Sequence, residues 1–148
     1  MQRSLDFTNN DFSFRVDVTI ELPNLIVCIS KLNDLESKDC VIKISVDINR
    51  NSHMNDFLQT LKLSTDKKLN GITRALLCIL LMQAVKENVL TLKSTVEINS
   101  IDRRYENFGF GLINGKMIAS VNRLLNVCEQ HVNEYSIELN NLLTSLVS

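Results

Sequence analysis

From Phe12 to Leu22 the chain alternates without a break. Phe12, Phe14, Val16, Val18, Ile20 and Leu22 fall on one side, and Ser13, Arg15, Asp17, Thr19 and Glu21 on the other. A period of two over this length predicts a strand with one face in a core and one in water. Pro23-Asn24 breaks the run and predicts a hairpin turn. Leu25 to Leu32 is nearly continuous in apolar residues, the pattern of a central strand covered on both faces. Asn33 to Asp39 is charged and reads as a loop, and Val41, Ile42, Ile44, Val46 and Ile48 outline a third strand. Asn49 to Asn55 is polar, and Phe57 to Leu63 fits a fourth strand better than a short helix.

The period changes after Gly71. Ile72, Leu76, Ile79, Leu80 and Ala84 follow helical spacing, and Leu77, Leu81 and Val85 widen the apolar face, so this helix is expected to lie buried against a sheet. Val89 to Ile98 predicts a strand, Asn99 to Asn107 a polar segment with room for a short helix, and Phe108 to Ile113 another strand. Val121, Leu125, Cys128, Val132, Tyr135, Leu139, Leu142 and Leu146 then recur at steps of four and three. That seam predicts a long amphipathic helix over residues 117–147, packed either on its own sheet or, through Val121, Leu125, Val132, Leu139, Leu142 and Leu146, on a second copy or a client protein. Residues 1–11 lie outside these patterns and are expected to be flexible. The expected fold is α/β of the α+β kind: one domain with a mixed, largely antiparallel sheet, a central buried helix and the long C-terminal helix.

Composition narrows the function. A chain of 148 residues that is 45% hydrophobic can bury a core without staples. Sixteen basic and 17 acidic residues, net −1, give no electrostatic footprint for nucleic acid or an anionic membrane. The longest apolar run, Ala75 to Val85, is too short to span a bilayer. The first ten residues carry no signal-peptide pattern. Cys28, Cys40, Cys78 and Cys128 contain no CxxC pair, which suits unpaired thiols in a reducing, cytoplasmic setting. His53 and His131 stand in no metal-spaced cluster, so no metal site is expected.

The segment with candidate chemistry is Lys68-Leu69-Asn70-Gly71-Ile72-Thr73, where a strand passes through a glycine-containing turn into a helix. Free backbone N–H groups and the positive end of the helix dipole favour an anion there. Gly71 permits close approach, Thr73 adds a hydroxyl, and Lys67, Lys68 and Arg74 add charge. Further along, Ser100 and Asp102 near Arg103-Arg104 read as a polar loop or a helix cap. Asp47 and Glu97 are expected to face solvent, and neither is assigned as a base.

The stretch Leu61 to Leu77 resembles the coenzyme A-binding motif of the GNAT-type N-acetyltransferases, in which a strand runs into Gln/Arg-x-x-Gly-x-Gly/Ala and then a helix. Lys68 falls on the Arg/Gln position, Gly71 on the first glycine and Thr73 on the second small residue. Downstream, Asn99 and Tyr105-Glu106-Asn107-Phe108-Gly109-Phe110 resemble the asparagine and Tyr-Glu-x-x-Gly-Phe-like segment of that family. The resemblance covers Leu61 to Phe110, about a third of the chain. It implies acetyl-coenzyme A as cofactor, held by Leu63, Lys68, Leu69, Asn70, Gly71, Ile72, Thr73, Arg74 and Asn99. It also implies an amine as acceptor and Tyr105 as the acid that protonates the departing thiolate. A reading from a different class is a non-enzymatic, dimeric interaction module, since the element order is also similar to that of the chaperones of type III secretion effectors.

Overall fold

The computed structural model describes residues 2–9, 12–32, 40–47, 58–64, 69–86, 95–98, 101–130 and 141. Strands β1 (Gln2–Asn9), β2 (Phe12–Glu21), β3 (Asn24–Lys31), β4 (Ile42–Asp47) and β5 (Leu58–Lys62) form a five-stranded antiparallel meander in sequence order. Helix α1 (Asn70–Lys86) follows, and then β6 (Thr95–Ile98), a 3-10 helix (Arg103–Phe108), β7 (Gly111–Ile113) and β8 (Lys116–Ser120). These last strands make a second antiparallel sheet in the order β6-β8-β7. Residues 121–130 are helical and are labelled α2. The fold is α+β, as the patterning predicts, but the described strands form two antiparallel sheets rather than one mixed sheet.

The alternation in β2 is realised as drawn. Phe14, Val16 and Val18 are buried, while Arg15 on the opposite face is exposed. Leu22 continues the parity but sits beyond the strand end, in the turn with the cis Leu22-Pro23 bond, and is exposed. Residues 2–9 are a paired strand rather than a flexible tail. They carry too few apolar residues to announce themselves, and β2 supplies the reason they are ordered. Asp6 lies opposite Arg15 in register and bonds it at 2.7 Å, Ser4 lies opposite Asp17 and hydrogen-bonds it, and Phe7 stacks on Phe14 with centroids 5.3 Å apart. Strand β3 departs from expectation in the other direction: Leu25, Val27 and Ile29 are buried, but Ile26, Cys28 and Ser30 between them are only half-buried. Its second face is therefore not a full core face.

Helix α1 is apolar almost all round, and accordingly Ile72, Ala75, Leu76, Leu77, Cys78, Ile79, Leu80, Leu81 and Ala84 are all buried. They join one continuous core with the inward residues of β2 to β5 and with Val96, Phe108, Phe110, Met117, Val121, Leu124 and Cys128. The C-terminal helix starts at 121 rather than 117, because Lys116–Ser120 pairs with both β6 and β7. Ser120 marks the start, its Oγ accepting the Arg123 N–H at 3.1 Å. Val121 and Cys128 of the heptad seam face this core and Leu125 is partly buried against it. Val132, Leu139, Leu142 and Leu146 lie outside the described residues, as do His53 and His131. No described helix is long and apolar enough to cross a membrane.

Candidate functional site

The strand–turn–helix unit is present on both sides of its turn: β5 ends at Lys62, and α1 starts at Asn70 after a 3-10 residue at Leu69. Lys67 and Lys68 lie outside the described residues. Gly71 is the second residue of α1 and is therefore helical itself. The N–H groups of this first turn have no partners within the helix, no acidic residue stands in it, and Asn70 and Gly71 are partly exposed. Leu69 and Ile72 point the other way and are fully buried, so they hold the turn to the core through their side chains.

Thr73 does not serve as the expected hydroxyl donor to a ligand. It is fully buried, and its Oγ1 donates to the Leu69 carbonyl at 2.7 Å, one turn back. The physical reason is its place four residues after Leu69, on the inward face of a helix buried nearly all round. Arg74 leaves the helix towards the 3-10 helix, its guanidinium carbon 5.2 Å from the centre of the Phe108 ring.

The segment carrying Tyr105 is a 3-10 helix with a defined start and stop. Asp102 caps the start, as the sequence allows: one carboxylate oxygen accepts the Arg104 N–H at 2.9 Å, and the other accepts Arg104 Nε at 2.8 Å. Those bonds from Arg104 hold the Asp102 carboxyl below the usual carboxylate range, against a small opposing effect of burial. Gly109 ends the segment at φ 104°, a conformation that side chains resist. Between these caps Tyr105 and Phe108 turn inward, and Phe110 meets the Tyr105 ring edge-on at 5.8 Å.

The inward turn brings the segment onto the end of β5. The Tyr105 hydroxyl donates to the Leu61 carbonyl, and Arg104 Nη1 reaches the Leu63 carbonyl at 3.4 Å. Leu63 is buried as a side chain, so what it offers at this site is its backbone oxygen. Tyr105 is only 5% exposed, which makes it a buried phenol held on a strand rather than one standing in an open cleft. Asn99 lies outside the described residues. The described part of the site therefore joins Leu61 and Leu63 to Tyr105 and Arg104, and Arg74 to Phe108 in the same 3-10 segment, while Asn70 and Gly71 stand at the start of the helix that carries Arg74. Arg104 and Phe108 are additions to the residues expected from sequence. The Arg103-Arg104 pair next to a capping Asp102 was the available signal for the first, but nothing in the spacing foretold that Phe108 would lie under Arg74.

Asp47 corrects an expectation: it is 6% exposed rather than solvent-facing, because both Ser45 and Asp47 are covered on the outer side of β4. Glu97 is bonded to Lys116 at 2.8 Å across the β6–β8 pair. Among the described residues no group of three or more His, Cys, Asp or Glu side chains is arranged to hold a metal ion. Comparison with family models, with curated proteins and with solved structures finds no match for this chain.

Proposed function

We propose that this chain is an acyl-coenzyme A-binding domain of the acetyltransferase type. Acetyl-coenzyme A would lie with its pyrophosphate at the start of α1 and its thioester between the ends of β5 and β6. The observation that supports this most directly is the convergence of the segments behind the sequence resemblance. Tyr105 and Arg104 are bonded to the carbonyls of Leu61 and Leu63 in and after β5, and Arg74 of α1 stacks on Phe108. These contacts tie β5 and α1 to the Tyr105 segment, which is what a ligand shared between them would need.

The chemistry follows from that arrangement. An amine attacks the thioester carbon, a C–N bond forms, the C–S bond breaks, and the thiolate takes a proton. The Tyr105 hydroxyl is bonded to β5 near its end, and a phenol suits a thiolate leaving group. In the free protein its hydroxyl is engaged with Leu61, so donation to sulfur requires that bond to be exchanged for one to the ligand. Four free thiols fit a cytoplasmic setting for such a domain.

Isothermal titration calorimetry with acetyl-coenzyme A tests the reading. Binding is expected for the unmodified chain, and Gly71→Glu is expected to weaken it by at least tenfold by placing a carboxylate against the pyrophosphate. An acidic residue in the first turn of a helix is favourable to the helix, so lost binding in this variant is not lost folding. No heat at millimolar ligand, or equal binding by both proteins, would sink the proposal.

A further inference from the structure

The five-stranded meander has two edges, and they end differently. At β5 the Leu61 carbonyl accepts the Tyr105 hydroxyl, and just past the strand the Leu63 carbonyl accepts from Arg104, so the 3-10 segment lies against this side. At the other edge stands β1, and among the described residues it pairs with β2 alone. Alternate backbone N–H and C=O groups of such a strand point away from its sheet. Its 8 residues run in unbroken register with β2, without the proline, lysine or bulge that commonly blunts an edge. By contrast β7, an edge of the second sheet, is 3 residues long. An edge as long and regular as β1 is a template for one more strand.

The side chains of β1 identify the strand that fits. Arg3, Leu5 and Phe7 lie on the core side, Leu5 partly buried and Arg3 exposed, while Ser4 and Asp6 are exposed on the other side. When two β1 strands are laid antiparallel and cross at Leu5, Leu5 meets Leu5, Ser4 meets Asp6, and Arg3 meets Phe7. The last two contacts are made twice by symmetry. Hydroxyl faces carboxylate on one side of the sheet, and on the other a guanidinium faces an aromatic ring. Neighbouring registers fit less well. A shift of one residue turns the polar side onto the core side. Of the nearest two that keep the sides, one sets Asp6 against Asp6, and the other pairs residues 2–6 in place of 2–8.

We infer that β1 is a self-complementary docking edge, through which two copies of this chain pair antiparallel over residues 2–8 and join their meanders into one continuous sheet about a two-fold axis. Asp6 keeps its bond to Arg15 in this arrangement. Ser4 stands between Asp17 of its own chain, to which it now donates, and Asp6 of the second copy. The contact is small and largely polar, so it is an equilibrium that responds to dilution rather than a permanent dimer. It lies at the far edge of the meander from β5 and the Tyr105 segment.

Sedimentation equilibrium of the full chain over a range of concentrations is the test, and a monomer–dimer equilibrium is expected. Ser4→Asp places two carboxylate pairs across the axis and is expected to weaken the dimer about tenfold; Ser4→Lys places two ion pairs there and is expected to tighten it by about the same factor. Ser4 is exposed, and circular dichroism establishes that both variants fold. A crosslink fixes the register. The two Leu5 side chains are directly opposite, with Cβ atoms roughly 5 Å apart, so Leu5→Cys is expected to form a disulfide between chains on mild oxidation, located by peptide mapping. Gln2→Cys, with its two copies roughly 20 Å apart along the strands, is expected not to. A monomer at every concentration, a dimer that Ser4→Asp leaves unchanged, or equal crosslinking by the two cysteine variants would each overturn the inference.

Discussion

Single residues set the position of the Tyr105 segment, and Asp102 gives it a dependence on pH. Its carboxyl is held below its ordinary value by Arg104, so its contribution to the folded state is complete above the unfolded value of about 3.8 and disappears as pH falls through the lower folded value. The segment is thus expected to loosen in acid before the core does. Amide exchange at Gly109 and Phe110, whose N–H groups bond back into the 3-10 turn, reads that loosening. Asp102→Asn keeps an acceptor at the cap but removes the titration, so it should abolish the acid-dependent step. An unchanged step in that variant would assign it to another carboxylate. The sequence offered this cap only as one of two readings, a polar loop or a helix cap, with Ser100 as a second candidate, because either side chain can accept from the N–H groups of a following turn. The fate of Thr73 was not legible, because a threonine four residues into a helix looks the same whether it faces ligand or core. Burial alone separates the two, and it depends on what the sheet covers.

At the scale of elements, the sequence announces a strand when its own residues alternate and is silent when order comes from a neighbour. Phe12–Glu21 alternates and was legible. Gln2–Asn9 has Leu5 and Phe7 as its only apolar residues and is held by Arg15, Asp17 and Phe14 across the ladder. Strand β8 was hidden differently: Met117, Ile118 and Ala119 merge into the apolar spacing of the helix that follows. The Asn114-Gly115 pair before it, at φ 51° and 77°, marks the hairpin that separates the two. Two glycines near this hairpin make contrasting predictions. A Cβ at Gly109 would come within 3.3 Å of both Arg123 Cγ and Val127 Cγ2 of α2, whereas one at Gly115 would meet nothing within 4 Å. Gly115→Ala should therefore cost only the backbone strain, about 1 kcal/mol, and Gly109→Ala should cost about 2 kcal/mol or more. Urea unfolding midpoints of the two variants measure the difference, and equal midpoints would mean that α2 yields freely at Gly109.

Over the whole molecule, the core has one centre, and α1 supplies it. Leu76 is fully buried midway along the helix, and Leu76→Ala is expected to destabilise the chain by about 2–5 kcal/mol, a large part of a typical domain's stability. Met82 on the same helix is 54% exposed, and Met82→Ala should change stability by less than about 0.5 kcal/mol. Denaturant titration of the pair distinguishes a helix buried in a core from one merely resting on a sheet.

That centrality also has a meaning for synthesis. All five strands of the meander precede α1 in the chain, and each pairs with its sequence neighbour, so the pairs can close in the order in which they are made. Their inward residues, from Phe14 through Val27 and Ile44 to Leu61, have no cover until Asn70–Lys86 has been made and has docked. During that interval a growing chain carries a broad apolar sheet face on an otherwise well-paired scaffold, which is the form in which nascent proteins recruit holdases or stick to one another.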